Sequence, residues 1–224
     1  MKVEMIVFDM AGTTVDENNV VYKTVRSAIN TAGYRFTQEE VQAAGAGKEK
    51  SQAIRDVLAL DGNAHSEDEV QRIFSDFKTS LSEAYRNLDV DEQPGASEVF
   101  LQLKQRGIKV ILNTGYDRAT AEGLVNKLDW KVGTEIDELI TASDVTKGRP
   151  HPEMIQLAMS KFNLRDPGRV AKIGDSVIDI EEGKNAGCGY TFGITTGAQS
   201  RQQLESIQPT AIVDNLREML DYLR

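Results

Sequence analysis

Residues 6–14, IVFDMAGTT, set an aspartate at the end of an apolar run. Ile6, Val7 and Phe8 form a short β-rich stretch with no polar alternation, the pattern of a strand buried on both faces. Asp9 arrives where Gly12, Thr13 and Thr14 break that strand. A carboxylate at such a strand end is either a turn former or a chemical group, and the rest of the chain decides which.

Working outward, five further β-rich runs follow: IKVIL (108–112), DELITA (137–142), RVAKI (169–173), YTFGI (190–194) and TAIVD (210–214). With VEMIVF (3–8), each is separated from the next by a helical pattern. ASEVFLQLKQRG, RATAEGLVNKL, PEMIQLAMSKF, VIDIEEGKNAG and QLESIQ carry apolar residues three and four apart, several closed by glycine. Alternating strand and helix predicts a doubly wound, Rossmann-like parallel sheet of the α/β class. Residues 16–93 interrupt the rhythm with helical patterns alone: VVYKTVRSAINTAG, TQEEVQAA, KSQAIRDVLAL and SEDEVQRIFSDFKTSLSEAYRNL. The expected organisation is a discontinuous core, 1–15 and 94–224, with an inserted α-helical cap, 16–93, on linkers near Asp16–Asn19 and Asp89–Pro94. Beside strand ends, such an insertion is placed to act as a lid.

Composition narrows the function. The chain has 224 residues, 40% hydrophobic and 27% charged, enough for one core plus a small insertion. No apolar run is long enough to span a bilayer, and MKVEMIVFDM lacks the apolar core of a secretory signal, so the expected location is the cytoplasm. A net charge of −9 without clustered Lys and Arg argues against nucleic acid and for a small-molecule partner. One cysteine, Cys188, excludes an internal disulfide, and two histidines make a zinc site improbable.

Ligands of a doubly wound sheet bind beyond the carboxyl ends of its strands. The residues expected there are Asp9, then Asn113, Thr114 and Gly115, then Lys147 and Arg149, then Gly174, Asp175, Ser176 and Asp179. Asp9 and Asp175, with a backbone carbonyl, suit a hard cation such as Mg²⁺. Thr114 can donate to a phosphoryl oxygen and Arg149 can offset its charge, leaving Asp9 free to act as a nucleophile. Each residue alone has a plainer reading: Thr114 as a helix cap, Lys147 and Arg149 as solvated charges, Asp175 and Asp179 as leaders of a helix. Four such readings would have to coincide in strand order, which favours the joint one.

FDMAGTTVD, NTGY, KGRPHP and IGDSVIDIEEGKNAG resemble the four motifs of the haloacid dehalogenase superfamily of Mg²⁺-dependent hydrolases with an aspartyl nucleophile. The resemblance spans the whole chain and implies a helical cap after the first strand. It also implies Asp9 as nucleophile, Thr114 and Arg149 as phosphoryl-binding groups, and a Mg²⁺ site from Asp9, Asp175 and the backbone of Ala11. Most phosphatases of that superfamily carry an aspartate at the place of Ala11, where it protonates the leaving alkoxide and later activates water. Its absence points to a leaving group that does without it, since general acid catalysis typically contributes about 10²–10⁴-fold. The dehalogenating branch generally does without metal, whereas IGDS retains Asp175. The phosphonatase branch has alanine in this place, and AGTTVD, NTGY and GRP are similar to its motifs.

In that branch a cap lysine forms an imine with the substrate aldehyde. By the spacing of GKEKSQAIRDVL (47–58) the matching residue is Lys50, with Lys48 as the cation expected to lower its pKa. A solvated pair at a helix start, or a phosphate-binding pair, is the alternative for Lys48 and Lys50. The chain departs from the branch at Met10, Ala46 and Ala53, which stand where it has tryptophan, methionine and histidine. The sequence therefore predicts a phosphonatase-like hydrolase of a small phosphonate or related phosphorylated metabolite. A general phosphatase of phosphate monoesters and a non-catalytic binding protein are its rivals. KTVRSAINTAG and the SEDEV to YRNL helix would offer a homodimer face, or pack into the cap's own core.

Overall fold

The computed structural model describes residues 2–88 and 90–223. Met1, Asp89 and Arg224, of which Asp89 opens the second expected linker, lie outside the described residues. In chain order the elements are β1 (Met5–Asp9), β2 (Val15–Asp16), α1 (Val20–Thr31), α2 (Gln38–Gly45), α3 (Lys50–Leu58), α4 (Glu67–Asn87) and β3 (Asp91–Glu92). Then come α5 (Ala96–Gln105), β4 (Lys109–Thr114), α6 (Arg118–Lys127), β5 (Glu138–Thr141), α7 (Glu153–Lys161) and β6 (Val170–Gly174). The chain closes with α8 (Val177–Ala186), β7 (Tyr190–Ile194), α9 (Arg201–Glu205), β8 (Ala211–Val213) and α10 (Leu216–Met219).

Six strands form one parallel sheet in the order β5-β4-β1-β6-β7-β8. From β1 the chain builds outward through β4 and β5, then crosses back to β6 on the other side of β1. The order therefore reverses between β1 and β6, and a crevice opens beyond their carboxyl ends. Ladder pairing of Asp9 with Asn113 brings the ends of β1 and β4 level.

Successive side chains of β1 serve opposite layers, as strand geometry requires. Ile6 and Phe8 join the apolar cluster holding Val99, Phe100 and Leu103 of α5, while Met5 and Val7 join the one holding Met154, Ile155 and Ala158 of α7. Phe8 meets the edge of Phe100 at 5.2 Å between centroids, and Phe100 meets Trp130 at 5.1 Å. Burying a side chain of this size stabilises by roughly 1.5–3 kcal/mol, so both faces of β1 hold Asp9 in place.

Helices α1–α4 stand between β2 and β3, as the helical patterns predict. Two strands absent from the sequence reading, β2 and β3, pair antiparallel at the base of the cap. At two residues each they are too short for an alternating pattern, and only the pairing reveals them. The apolar stripes of α1 (Val21, Val25, Ile29) and α4 (Val70, Ile73, Phe77, Leu81) are buried where α1 packs on α4, in the cluster that continues to Ile6 and Phe8 of the core. The dimer face expected from them is thus used within the chain. Among the described residues no helix is long and apolar enough to cross a membrane.

Candidate active site

The glycine and threonines after Asp9 make a tight turn. The Met10 carbonyl accepts from the backbone N–H groups of Thr13, Thr14 and Val15 at 3.1, 2.8 and 2.9 Å. The Thr14 hydroxyl donates to the Asp9 carbonyl at 3.0 Å, pinning the strand end. Gly12 has φ +79°, and a Cβ there would lie 2.5 Å from Asp175 Oδ2, so the position needs glycine for both conformation and space. The turn thereby lets the loop after β6 bring Asp175 beside the end of β1.

Beneath Asp9 lies a buried network of charges. Arg149 Nη1 stands 2.8 Å from Asp9 Oδ1 and 2.9 Å from Asp179 Oδ1, with Nε 3.3 Å from Glu182. Its Nη2 donates to the Asn113 carbonyl at 2.7 Å and to Asn113 Oδ1 at 2.9 Å. Lys172, within β6, reaches Asp179 at 3.0 Å, Glu182 at 3.4 Å and Asn113 Oδ1 at 2.6 Å. Desolvating such ions costs several kcal/mol each, and only pairing this dense offsets it. Burial pushes the Asp179 carboxyl up, but Arg149 and Lys172 outweigh it and hold the group below the usual range. The same carboxylates hold the Arg149 guanidinium above its ordinary value against the effect of burial.

Asp9 and Asp175 are different. Burial raises both, and each is raised further by carboxylate neighbours: Asp179 beside Asp9, and Asp9 with Asp179 beside Asp175. One oxygen from each of Asp9, Asp175 and Asp179 lies within 4.8 Å of the others. Four buried carboxylates, Asp9, Asp175, Asp179 and Glu182, face two cations in this network, Arg149 and Lys172. An all-oxygen donor set with two surplus negative charges fits a hard divalent cation. Ala11 lines the same small cavity as Asp175.

The cap contributes Lys50. Glu49 caps α3, its carboxylate accepting from the N–H groups of Ser51 and Gln52, so Lys50 is the first helical residue. Its side chain turns inward and is buried, with Nζ donating to the Lys48 carbonyl at 2.8 Å and standing 3.5 Å from the Tyr22 hydroxyl. The faces of Tyr22 and Tyr116 enclose it at 5.0 and 5.5 Å. Desolvation brings its pKa down to about 8, against Asp9, which pulls upward, while Arg149 adds to the lowering. The positive end of α3 acts in the same direction.

The cap loop is seated on the core. A Cβ on Gly47 would lie 2.5 Å from Ser176 Oγ, and one on Gly115 would lie 3.1 Å from the Lys48 carbonyl. Gly115 and Ser176 are therefore the floor on which residues 47–48 rest, and Ser176 also donates to Asp179. Thr114 is buried at the end of β4, accepting from the Tyr116 N–H at 3.2 Å, and the cap of α6 is Asp117, not Thr114. Two placements correct the sequence reading. Lys147 is exposed, apart from the buried network. Lys48 does not supply the cation near Lys50: it ion-pairs with Asp56, and Arg149 takes that part.

The sequence reading missed Lys172, Glu182, Glu17 and the tyrosines around Lys50. A lysine inside the apolar run VAKIG was the available signal for Lys172. Cys188 is half-buried with its thiol pushed up to about 12 by burial, which removes it as a nucleophile.

The profile of haloacid dehalogenase-like hydrolases matches residues 3–187. The chain belongs to that family. This hydrolase is 30% identical over 240 residues to the phosphonoacetaldehyde hydrolase of Bacillus cereus, covering 100% of this chain and 88% of the relative. It is 28% identical to the enzyme of the same name from Latilactobacillus sakei, over 95% of this chain and 81% of that one. Within the family it is phosphonatase-like. Its fold matches a hydrolase from Pseudomonas syringae with a TM-score of 0.86 at 17% identity, covering 100% and 98% of the two chains. It matches a phosphonoacetaldehyde hydrolase-like protein from Oleispira antarctica with a TM-score of 0.83 at 24% identity, covering 100% and 92%.

Proposed function

We propose that this hydrolase is Mg²⁺-dependent and cleaves the C–P bond of a small phosphonate bearing a carbonyl, with Asp9 as nucleophile and Lys50 as the amine that activates the organic part. The observation that carries the reading is Lys50 itself, a buried cap lysine with no carboxylate ion-paired to it among the described residues, its pKa lowered to about 8, packed against the Gly115–Tyr116 turn that follows Thr114. An amine in that state is a competent nucleophile toward an aldehyde near neutral pH.

In this reading Lys50 Nζ condenses with the carbonyl, expels water and holds a proton, giving a protonated imine. Asp9 then attacks phosphorus, the C–P bond breaks, and its electron pair is taken up as an enamine. Thr114 and Arg149 bind the phosphoryl oxygens, and Arg149 neutralises developing charge. Asp9 and Asp175, with Asp179 behind them and the Ala11 backbone beside them, would hold Mg²⁺, which supplies charge neutralisation when bound. Water finally releases phosphate from Asp9, and protonation and hydrolysis of the enamine release the aldehyde. No step up to C–P cleavage needs an acid at position 11, which accounts for Ala11. Lys48, Ser176, Gly115 and Asp179 act, on this reading, as supports of the site.

Ala46 and Ala53 are buried in the cap and bring no polar group to Lys50, which favours a carbonyl phosphonate other than phosphonoacetaldehyde as the best substrate. The test is phosphate and aldehyde release from phosphonoacetaldehyde and longer carbonyl phosphonates. Asp9→Asn is expected to lower turnover by about 10⁴-fold or more, and chelation of divalent metal to abolish it. Full turnover by Asp9→Asn would sink the reading.

A further inference from the structure

Ala11 lines a cavity of about 90 Å³ together with Gly12, Glu17, Tyr22, Asp175 and Thr196. Glu17 is the buried carboxylate of that wall outside the metal-binding cluster, at 3% exposure, on the turn into α1. Its Oε2 accepts from the Tyr85 hydroxyl at 3.1 Å and from the Val21 N–H at 3.2 Å. Its other oxygen has no hydrogen-bond donor among the described residues and is not sealed from the cavity. A buried carboxylate with one oxygen anchored and the other open to a space roomy enough for water is built to exchange a proton with that water.

We propose that Glu17 is the proton acceptor for the water that hydrolyses phosphorylated Asp9. The water oxygen bonds to phosphorus, the P–O bond to Asp9 breaks with its electron pair returning to the Asp9 carboxylate, and the water proton passes to Glu17. Glu17 then loses that proton to solvent with phosphate release. The inference rests on the aspartyl-nucleophile part of the reading above. Burial pushes the Glu17 carboxyl up to about 7, with Tyr85, Val21 and Lys50 pulling down and Asp16 adding to the rise. Asp175 and Tyr22 in the same cavity wall, and Tyr116, are the other ionisable groups near it among the described residues. A group near 7 is ionised in part at neutral pH and strong enough as a base for the task.

A purely structural role would be to hold Tyr85 and the start of α1. Glu17→Gln keeps an oxygen for both bonds and removes only the proton transfer. Acetyl phosphate is the probe, because its acetate leaves without an acid or an imine and so isolates breakdown of the phosphorylated enzyme. Acid quenching and intact-protein mass spectrometry then measure the phosphoryl group on Asp9. Wild type is expected to show little, and Glu17→Gln to accumulate it, with breakdown slowed about 10²-fold or more. Breakdown by Glu17→Gln within a few-fold of wild type overturns the proposal and leaves the aspartyl nucleophile standing. Accumulation in Asp16→Asn instead overturns it in favour of the exposed carboxylate on the same wall. A wild type that neither takes up phosphoryl nor releases phosphate from any probe overturns the nucleophile, and this inference with it.

Thermal melting reports whether Glu17→Gln folds. If it does not, Tyr85→Phe removes the hydrogen bond that favours ionised Glu17 and leaves the carboxylate. Breakdown should then slow at about pH 6 and recover by about pH 8.5, as a raised base pKa requires. Slowing that is equal at both, or absent, contradicts the role.

Discussion

Lys172 and Lys50 are both buried lysines, and the structure holds them in opposite ways. Lys172, in β6, meets Asp179 at 3.0 Å and Glu182 at 3.4 Å, and Asn113 completes its shell. Lys50, at the start of α3, meets a backbone carbonyl, a tyrosine hydroxyl and two ring faces, and its pKa falls to about 8. One is paired with the carboxylates whose positions it fixes. The other is an ammonium that gives up its proton near pH 8, far more readily than an ordinary lysine. The contrast teaches that burial alone does not mark a reactive lysine; burial without a carboxylate partner does.

Removing each lysine breaks the comparison in a different place. Lys50→Met is expected to lower turnover of a carbonyl phosphonate by about 10⁴-fold or more, measured by phosphate release. It should fold at least as well as wild type, because an incompletely paired buried amine is gone. Lys172→Met is expected to destabilise by about 3–5 kcal/mol in denaturant unfolding, since Asp179 and Glu182 keep their burial and lose a partner. Equal stability losses in the two variants would refute the distinction.

The pH dependence sharpens it. The folded pKa of Lys50 is lowered, so between about 8 and the ordinary lysine value of 10.5 the unfolded chain binds the proton and the folded chain does not. The contribution of Lys50 to stability is therefore least below pH 8 and rises above it, by about 3 kcal/mol at most. The stability difference between wild type and Lys50→Met should close correspondingly from pH 8 upward. Imine formation should rise with pH and level off above about 8, as neutral amine replaces ammonium.

The smallest effect is expected from Lys48→Met. Its ion pair with Asp56 is partly exposed, with 26% and 30% of the two side chains accessible, and such pairs contribute roughly 0–1 kcal/mol. A large loss of imine formation in this variant would return to Lys48 the part that Arg149 plays in the structure.

The strand-end residues Asp9, Thr114, Arg149 and Asp175 were legible because apolar runs locate parallel strands and ligands gather beyond their carboxyl ends. Lys172 was not, because a lysine in RVAKI reads as a tolerated polar position until both neighbouring strands are known. Lys48 and Lys50 carry the same charge two residues apart, and only the start of α3 at Lys50 turns one outward and the other in. Glu17 falls in the first expected linker, Asp16–Asn19. Its burial depends on Tyr85, 68 residues away, a contact no local pattern encodes. The β2–β3 pair was hidden for the same reason.

The central claim is that Lys50 acts as an amine toward a carbonyl, and borohydride trapping addresses it most directly. Wild type and Lys50→Arg are incubated with phosphonoacetaldehyde and borohydride, digested, and mapped by mass spectrometry. The account predicts a reduced adduct on Lys50 in wild type and none in the variant. An adduct elsewhere, or phosphate release from phosphonoacetaldehyde with no adduct at all, would contradict it.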